Sequence, residues 1–136
     1  NWCHSDGLSA IYSRILESNQ KEVYSQLVEW NQAESEWLRR ISLVSLIHYS
    51  GKNAVFMPLK KVLPLVTNCL DGERYYVQTA VGWVLREMGN VYKSEITKYL
   101  EIHAKRMSAP AFSRAVERLG TKERTRLREL RNSKLS

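Results

Sequence analysis

A chain of 136 residues with 43% apolar residues is long enough for one domain with a continuous core, and its formal net charge of +7 turns attention to anionic partners. No apolar run approaches the roughly 18–20 residues of a membrane-spanning helix and no signal-like segment opens the chain. The expectation is a non-secreted protein, nucleoid-associated in a cytoplasm or nuclear, with no membrane partner. Cys3 and Cys69 show no C-x-x-C spacing and are too few for a disulfide framework, and His4, His48 and His103 show no metal-ligand spacing, so neither metal nor cofactor is expected. A start at Asn1 instead of Met leads us to expect further sequence upstream.

Apolar residues recur at helical spacing along almost the whole chain. Leu8, Ile11, Tyr12, Ile15 and Leu16 form a first stripe, and Val23, Tyr24, Leu27 and Val28 a second. Trp37, Leu38, Ile41, Val44 and Ile47 mark a third helix, and Leu59, Val62, Leu63, Val66 and Leu70 a fourth. Pro58 suits the first turn of that fourth helix; Pro64 falls inside it, where an unrelieved kink costs roughly 3 kcal/mol. Val77, Ala80, Val81, Val84 and Met88 give a fifth helix, predicted to end at Gly89-Asn90 in a left-handed cap. Ile96, Tyr99, Leu100, His103 and Met107 give a sixth, with His103 expected to be a satisfied core histidine. Phe112, Ala115, Val116 and Leu119 give a seventh closing at Gly120, and Lys122 to Arg131 can add an eighth.

These helices repeat. The segment ESEWLRRISLVSLIHYSGK reappears 39 residues later as ERYYVQTAVGWVLREMGN, with Trp37 over Tyr76, Ile41 over Ala80, Val44 over Trp83 and Leu46 over Leu85. A third copy, PAFSRAVERLG, puts Phe112 over Val77 and Ala115 over Ala80. Such a period belongs to stacked helical repeats. The predicted fold is all-α, a right-handed stack of antiparallel helix pairs forming an α-solenoid in a single domain over 1–136. Function then belongs to a long surface.

Charge is concentrated at one end. Residues 1–104 hold 11 Lys/Arg against 11 Asp/Glu, whereas residues 105–136 hold 10 against 3. This is the footprint expected of a polyanion partner, nucleic acid first. Residues 121–136 read either as a basic C-terminal helix or as a solvated tail.

On the fifth helix Tyr75, Thr79, Gly82 and Arg86 fall at i, i+4, i+7 and i+11, a polar stripe opposite the core. The repeat offsets bring Arg40, Thr79 and Arg114 to equivalent positions, predicting a cationic column in which Gly82 lets a partner's backbone come close. The competing reading pairs Arg40 and Arg86 with Glu36, Glu87 or another carboxylate as scaffold salt bridges. Trp37 and Trp83 align with core positions and are expected to pack. Trp30 can cover a joint between helices, and Tyr75 or Tyr76 can stack on a sugar or base.

Three blocks carry a family resemblance: Asn1, Trp2 and Asp6; Trp30, Glu34, Trp37, Arg39 and Arg40; and the run Val77 to Glu87. Together they resemble the HEAT-like-repeat alkylpurine DNA glycosylases, the AlkD-type DNA alkylation repair enzymes. The resemblance implies a monomer with a basic concave groove that grips duplex DNA and excises cationic N3- and N7-alkylated purines without drawing the base into a pocket. It implies Trp30 as a lesion-holding tryptophan, Glu34 as the carboxylate beside the deoxyribose and Arg86 as a phosphate ligand. The chain departs from the family pattern in having Glu34 for an Asp, and no C-terminal tryptophan, whose place Arg118 would take. Two other functions remain open at this stage: a non-catalytic DNA-binding repeat protein and a protein-interaction scaffold.

Overall fold

The computed structural model describes residues 2–18, 20–47 and 57–133, with the backbone alone for residues 2–5, 13, 16–18 and 20. Asn1, His48 and residues 134–136, all part of the sequence reading, lie outside the described residues.

Eight α-helices account for most of the described chain: α1 (Trp2–Ser18), α2 (Gln20–Asn31), α3 (Glu36–Val44), α4 (Leu59–Asn68), α5 (Tyr75–Val91), α6 (Lys93–His103), α7 (Ala109–Ala115) and α8 (Thr121–Asn132). A 3-10 turn, Ala104–Arg106, follows α6. The fold is all-α and solenoid-like. Helices α1, α3, α5 and α7 pack side by side in one layer; α2 lies on α1 and α3, α4 on α3 and α5, and α6 on α5. The core runs between the layers as one cluster, with Leu27, Leu43, Leu46, Val62, Leu70, Leu85, Met88 and Leu100 fully enclosed.

Local chemistry fixes several helix starts. The Ser35 side chain accepts a hydrogen bond from the Leu38 N–H at the head of α3, and the Ser108 side chain accepts from Ala111 N–H at the head of α7, where Pro110 falls in the first turn. Pro58 is the N-cap of α4. That helix continues through Pro64; Lys60 and Pro64 are both exposed, so the carbonyl that loses its partner can be hydrated. Polar groups inside are matched across helices. Asn31 Nδ2 donates to Ser42 Oγ at 3.0 Å and to the Leu65 carbonyl at 3.2 Å, while Gln78 Nε2 donates to the Cys69 carbonyl at 2.7 Å and Gln78 Oε1 accepts from Ser108 Oγ at 2.9 Å.

Several helix ends differ from the periodicity. Helix α5 runs through Gly89 to Val91 with no left-handed glycine cap, because α6 begins after Tyr92 alone and Gly89 packs beneath Ile96. Helix α3 stops at Val44, and α7 at Ala115; Gly120, expected to close α7, is instead the extended N-cap of α8. Between helix and tail, residues 121–132 take the helix: Leu127 is fully buried, and α8 packs on the 3-10 turn and α6. His103 is only partly buried, its ring 4.2 Å from that of Tyr99.

Candidate functional site

The four helices of one layer each contribute to a cleft of about 440 Å3. Asp6 comes from α1, Arg40 from α3, Tyr75, Tyr76, Thr79 and Trp83 from α5, and Arg114 from α7. Stacking at the repeat period is what makes this possible, because equivalent positions of successive helices become neighbours: Arg40 Nη1 donates to Thr79 Oγ1 at 2.9 Å, 39 residues away.

Arg40 is the hub. Its Nε donates to Asp6 Oδ1 at 2.7 Å and its Nη2 to Asp6 Oδ2 at 3.0 Å, while Nη1 also donates to the Tyr76 carbonyl at 2.5 Å. The guanidinium carbon lies 6.0 Å from the ring centroids of both Tyr76 and Trp83. A planar fork with several fixed donors is suited to this work, and lysine could not reproduce it. With Arg40 only 5% exposed, its charge is a buttress between α1, α3 and α5 and not a solvent-facing phosphate ligand. The salt-bridge reading of Arg40 is therefore the structural one, with Asp6 in place of Glu36.

Each Asp6 oxygen accepts one bond from Arg40 and keeps a lone pair for the cleft. Arg114 is the other cation there. It is half-buried, and its side chain makes no hydrogen bond or ion pair among the described residues. Tyr75 stands at the lip, 54% exposed, edge-on to Tyr76.

Gly82 has a different role from the one its stripe suggests. A Cβ there would fall 2.5 Å from the Ala111 carbonyl oxygen and 2.7 Å from Arg114 Cβ. The backbone that approaches Gly82 closely belongs to α7, and no partner can use that space.

Arg86, farther along α5, and Arg118, in the turn after α7, lie outside the cleft in a second set of charges. Arg86 Nη1 pairs with Glu117 Oε2 at 2.7 Å and Arg118 Nη2 with Glu87 Oε1 at 3.2 Å. Arg86 Nε is buried without a hydrogen-bond partner among the described residues. The pairing with Glu87 expected for Arg86 is present at 3.5 Å.

The sequence profile of the DNA alkylation repair enzymes matches residues 1–119. The chain belongs to that family. The match ends one residue before the N-cap of α8, so α1 to α7 lie within it and α8 lies beyond. No curated protein matches the chain. Among the described residues no helix is long and apolar enough to cross a membrane.

Within this family member, Trp30 and Glu34, the two residues of the second sequence block given catalytic roles, are not in the cleft. Glu34 is exposed in the α2–α3 connection, and Trp30 packs edge-on to Tyr12 with ring centroids 5.1 Å apart, covering the joint between α1 and α2. The carboxylate and tryptophan that do line the cleft are Asp6 and Trp83. Trp83 was expected to pack because it superposes on Val44, but its larger indole extends from the core to the cleft wall. Asp6 stands in the first sequence block, and its signal was available: it is an acid within an otherwise amphipathic helix one repeat before an arginine. Arg118 does not replace a tryptophan; Glu87 holds it away from the cleft.

Proposed function

We propose that the chain binds duplex DNA across the face that carries the cleft and excises cationic N3- and N7-alkylated purines, with Asp6, not Glu34, as the catalytic carboxylate. The observation that carries this reading is the Asp6 carboxylate held by Arg40 in a cleft walled by Trp83 and Tyr76. Membership of the DNA alkylation repair family supports the repair role.

The chemistry asks little of the protein. An alkylated purine already carries positive charge, so the C1′–N bond breaks with its electron pair passing to the purine, which leaves neutral. Positive charge then develops on C1′ and the ring oxygen of the sugar. The lone pairs of Asp6 that Arg40 leaves open stabilise that charge, and a water adds at C1′, losing its proton to Asp6 or solvent and leaving an abasic site. Arg40 acts through Asp6 as a positioning residue. Arg114 supplies the uncompensated cation for a flanking phosphate, and the aromatic walls hold the sugar and backbone in place.

The test is release of 7-methylguanine from methylated duplex DNA. Asp6→Asn lowers release by ~100-fold or more, about 2.7 kcal/mol of transition-state stabilisation, while DNA binding survives. Glu34→Gln leaves release unchanged. If the unsubstituted protein binds duplex DNA but releases no alkylated purine above the spontaneous rate, it is a non-catalytic DNA-binding member of the family.

A further inference from the structure

Beyond the cleft, the cations of α5 and α7 lead into a continuous groove at the end of the stack. Its first part, about 180 Å3, is lined by Arg86, Lys93 and Arg118; its second, about 620 Å3, by Lys93, Lys98 and Lys122 with Glu101 and Glu123. The two parts share Lys93, Thr97 and Leu119, which makes them one surface running from the C-terminal end of α5 over α6 to the first turn of α8.

The acids on this surface are neutralised from within. Arg126 bridges Glu101, at 2.8 Å, and Glu123, while Arg86 pairs with both Glu87 and Glu117 and Arg118 with Glu87. Lys93, Lys98 and Lys122 are exposed and make no ion pair among the described residues. Three ammonium groups along a groove, with the nearby carboxylates already paired, favour a linear polyanion over an isolated acidic group. Helix α8 supplies one wall, and it lies outside the part of the chain that matches the family.

We propose that this lysine groove is a second track for the DNA backbone, carrying the duplex flank that leaves the cleft past Arg114. The inference rests on the DNA-binding reading of the cleft. It adds that α8 extends the contact, so that affinity depends on duplex length as well as on the cleft.

The experiment compares the full chain with a variant carrying Lys93→Gln, Lys98→Gln and Lys122→Gln. All three positions are exposed, and circular dichroism confirms that the fold is retained. Binding is measured against salt for a short duplex that spans only the cleft and for a longer one that overhangs it. For the long duplex, the log–log salt slope flattens by about two to three units in the variant, at roughly 0.9 per lost phosphate contact. For the short duplex the two proteins bind alike, and 7-methylguanine release at saturating protein is unchanged. If both proteins show the same slope on the long duplex, the track is wrong and the cleft reading stands. If the unsubstituted protein binds neither duplex, the DNA-binding reading falls and the track with it.

Discussion

Both carboxylate oxygens of Asp6 are held by Arg40, Oδ1 by Nε at 2.7 Å and Oδ2 by Nη2 at 3.0 Å, across 34 residues of sequence. The pair joins α1 to α3 and, through the Tyr76 carbonyl and Thr79, to α5. Removing one partner leaves a buried charge without its counter-ion. Asp6→Ala should therefore cost about 2–4 kcal/mol, less than for a fully buried pair because the Asp6 side chain keeps 20% exposure. Arg40→Lys should not restore wild-type stability, since an ammonium cannot span both oxygens and the α5 acceptors. Denaturant midpoints at constant m-value give the measurement; a loss below about 0.5 kcal/mol for Asp6→Ala would show the pair to be incidental.

Gly82 sets the spacing of α5 and α7. Because the atom that a new Cβ would meet at 2.5 Å is a backbone carbonyl, the clash is relieved only by moving α7. Gly82→Ala should destabilise by about 1–3 kcal/mol and weaken DNA binding by displacing Arg114 from the cleft. A thermal midpoint equal to wild type would show that α7 is not held against α5.

Helix α8 is attached through one side chain above all. Leu127→Ala should cost about 2–4 kcal/mol, whereas Leu130→Ala, at a position 37% exposed, should cost well under half as much. Thermal unfolding of the two variants checks the ratio; equal, negligible losses would return residues 121–132 to the status of a solvated tail.

Acid should weaken the packing of α6 around its C-terminal end. Burial and the neighbouring Arg106 charge hold the His103 imidazole below its ordinary value of about 6.5, with Asp71 opposing. The folded state then binds a proton less readily than the unfolded chain. The stability His103 contributes is fully present above about pH 6.5 and is lost as pH falls through its lower folded value. His103→Leu should flatten the stability profile in that window, and the NMR midpoint of His103 should lie below that of an unfolded-chain histidine. A midpoint above it would reverse the sign. The Asp71 carboxyl is held below the usual carboxylate range, chiefly by its hydrogen bond from Arg106, so it stays ionised to lower pH than an unperturbed aspartate.

The sequence by itself determined the helices, their order and their stacking, because 3.6-residue periodicity and a repeat offset of 39 are local properties of side chains along one chain. That offset, with the one of 35 to the next copy, was enough to bring Arg40, Thr79 and Arg114 to one cleft, and the family blocks identified an alkylation repair protein. It did not determine where α5 ends, since packing of Ile96 on Gly89 and the immediate start of α6 decided that against a favourable cap residue. Nor did it show which of fourteen carboxylates faces Arg40. Glu36 is four residues from Arg40 and Asp6 is 34, but stacking of α1 on α3 brings Asp6, not Glu36, within 2.7 Å of the guanidinium. Only the tertiary structure could make that choice, because a buried guanidinium takes the carboxylate that packing delivers, not the one nearest in sequence.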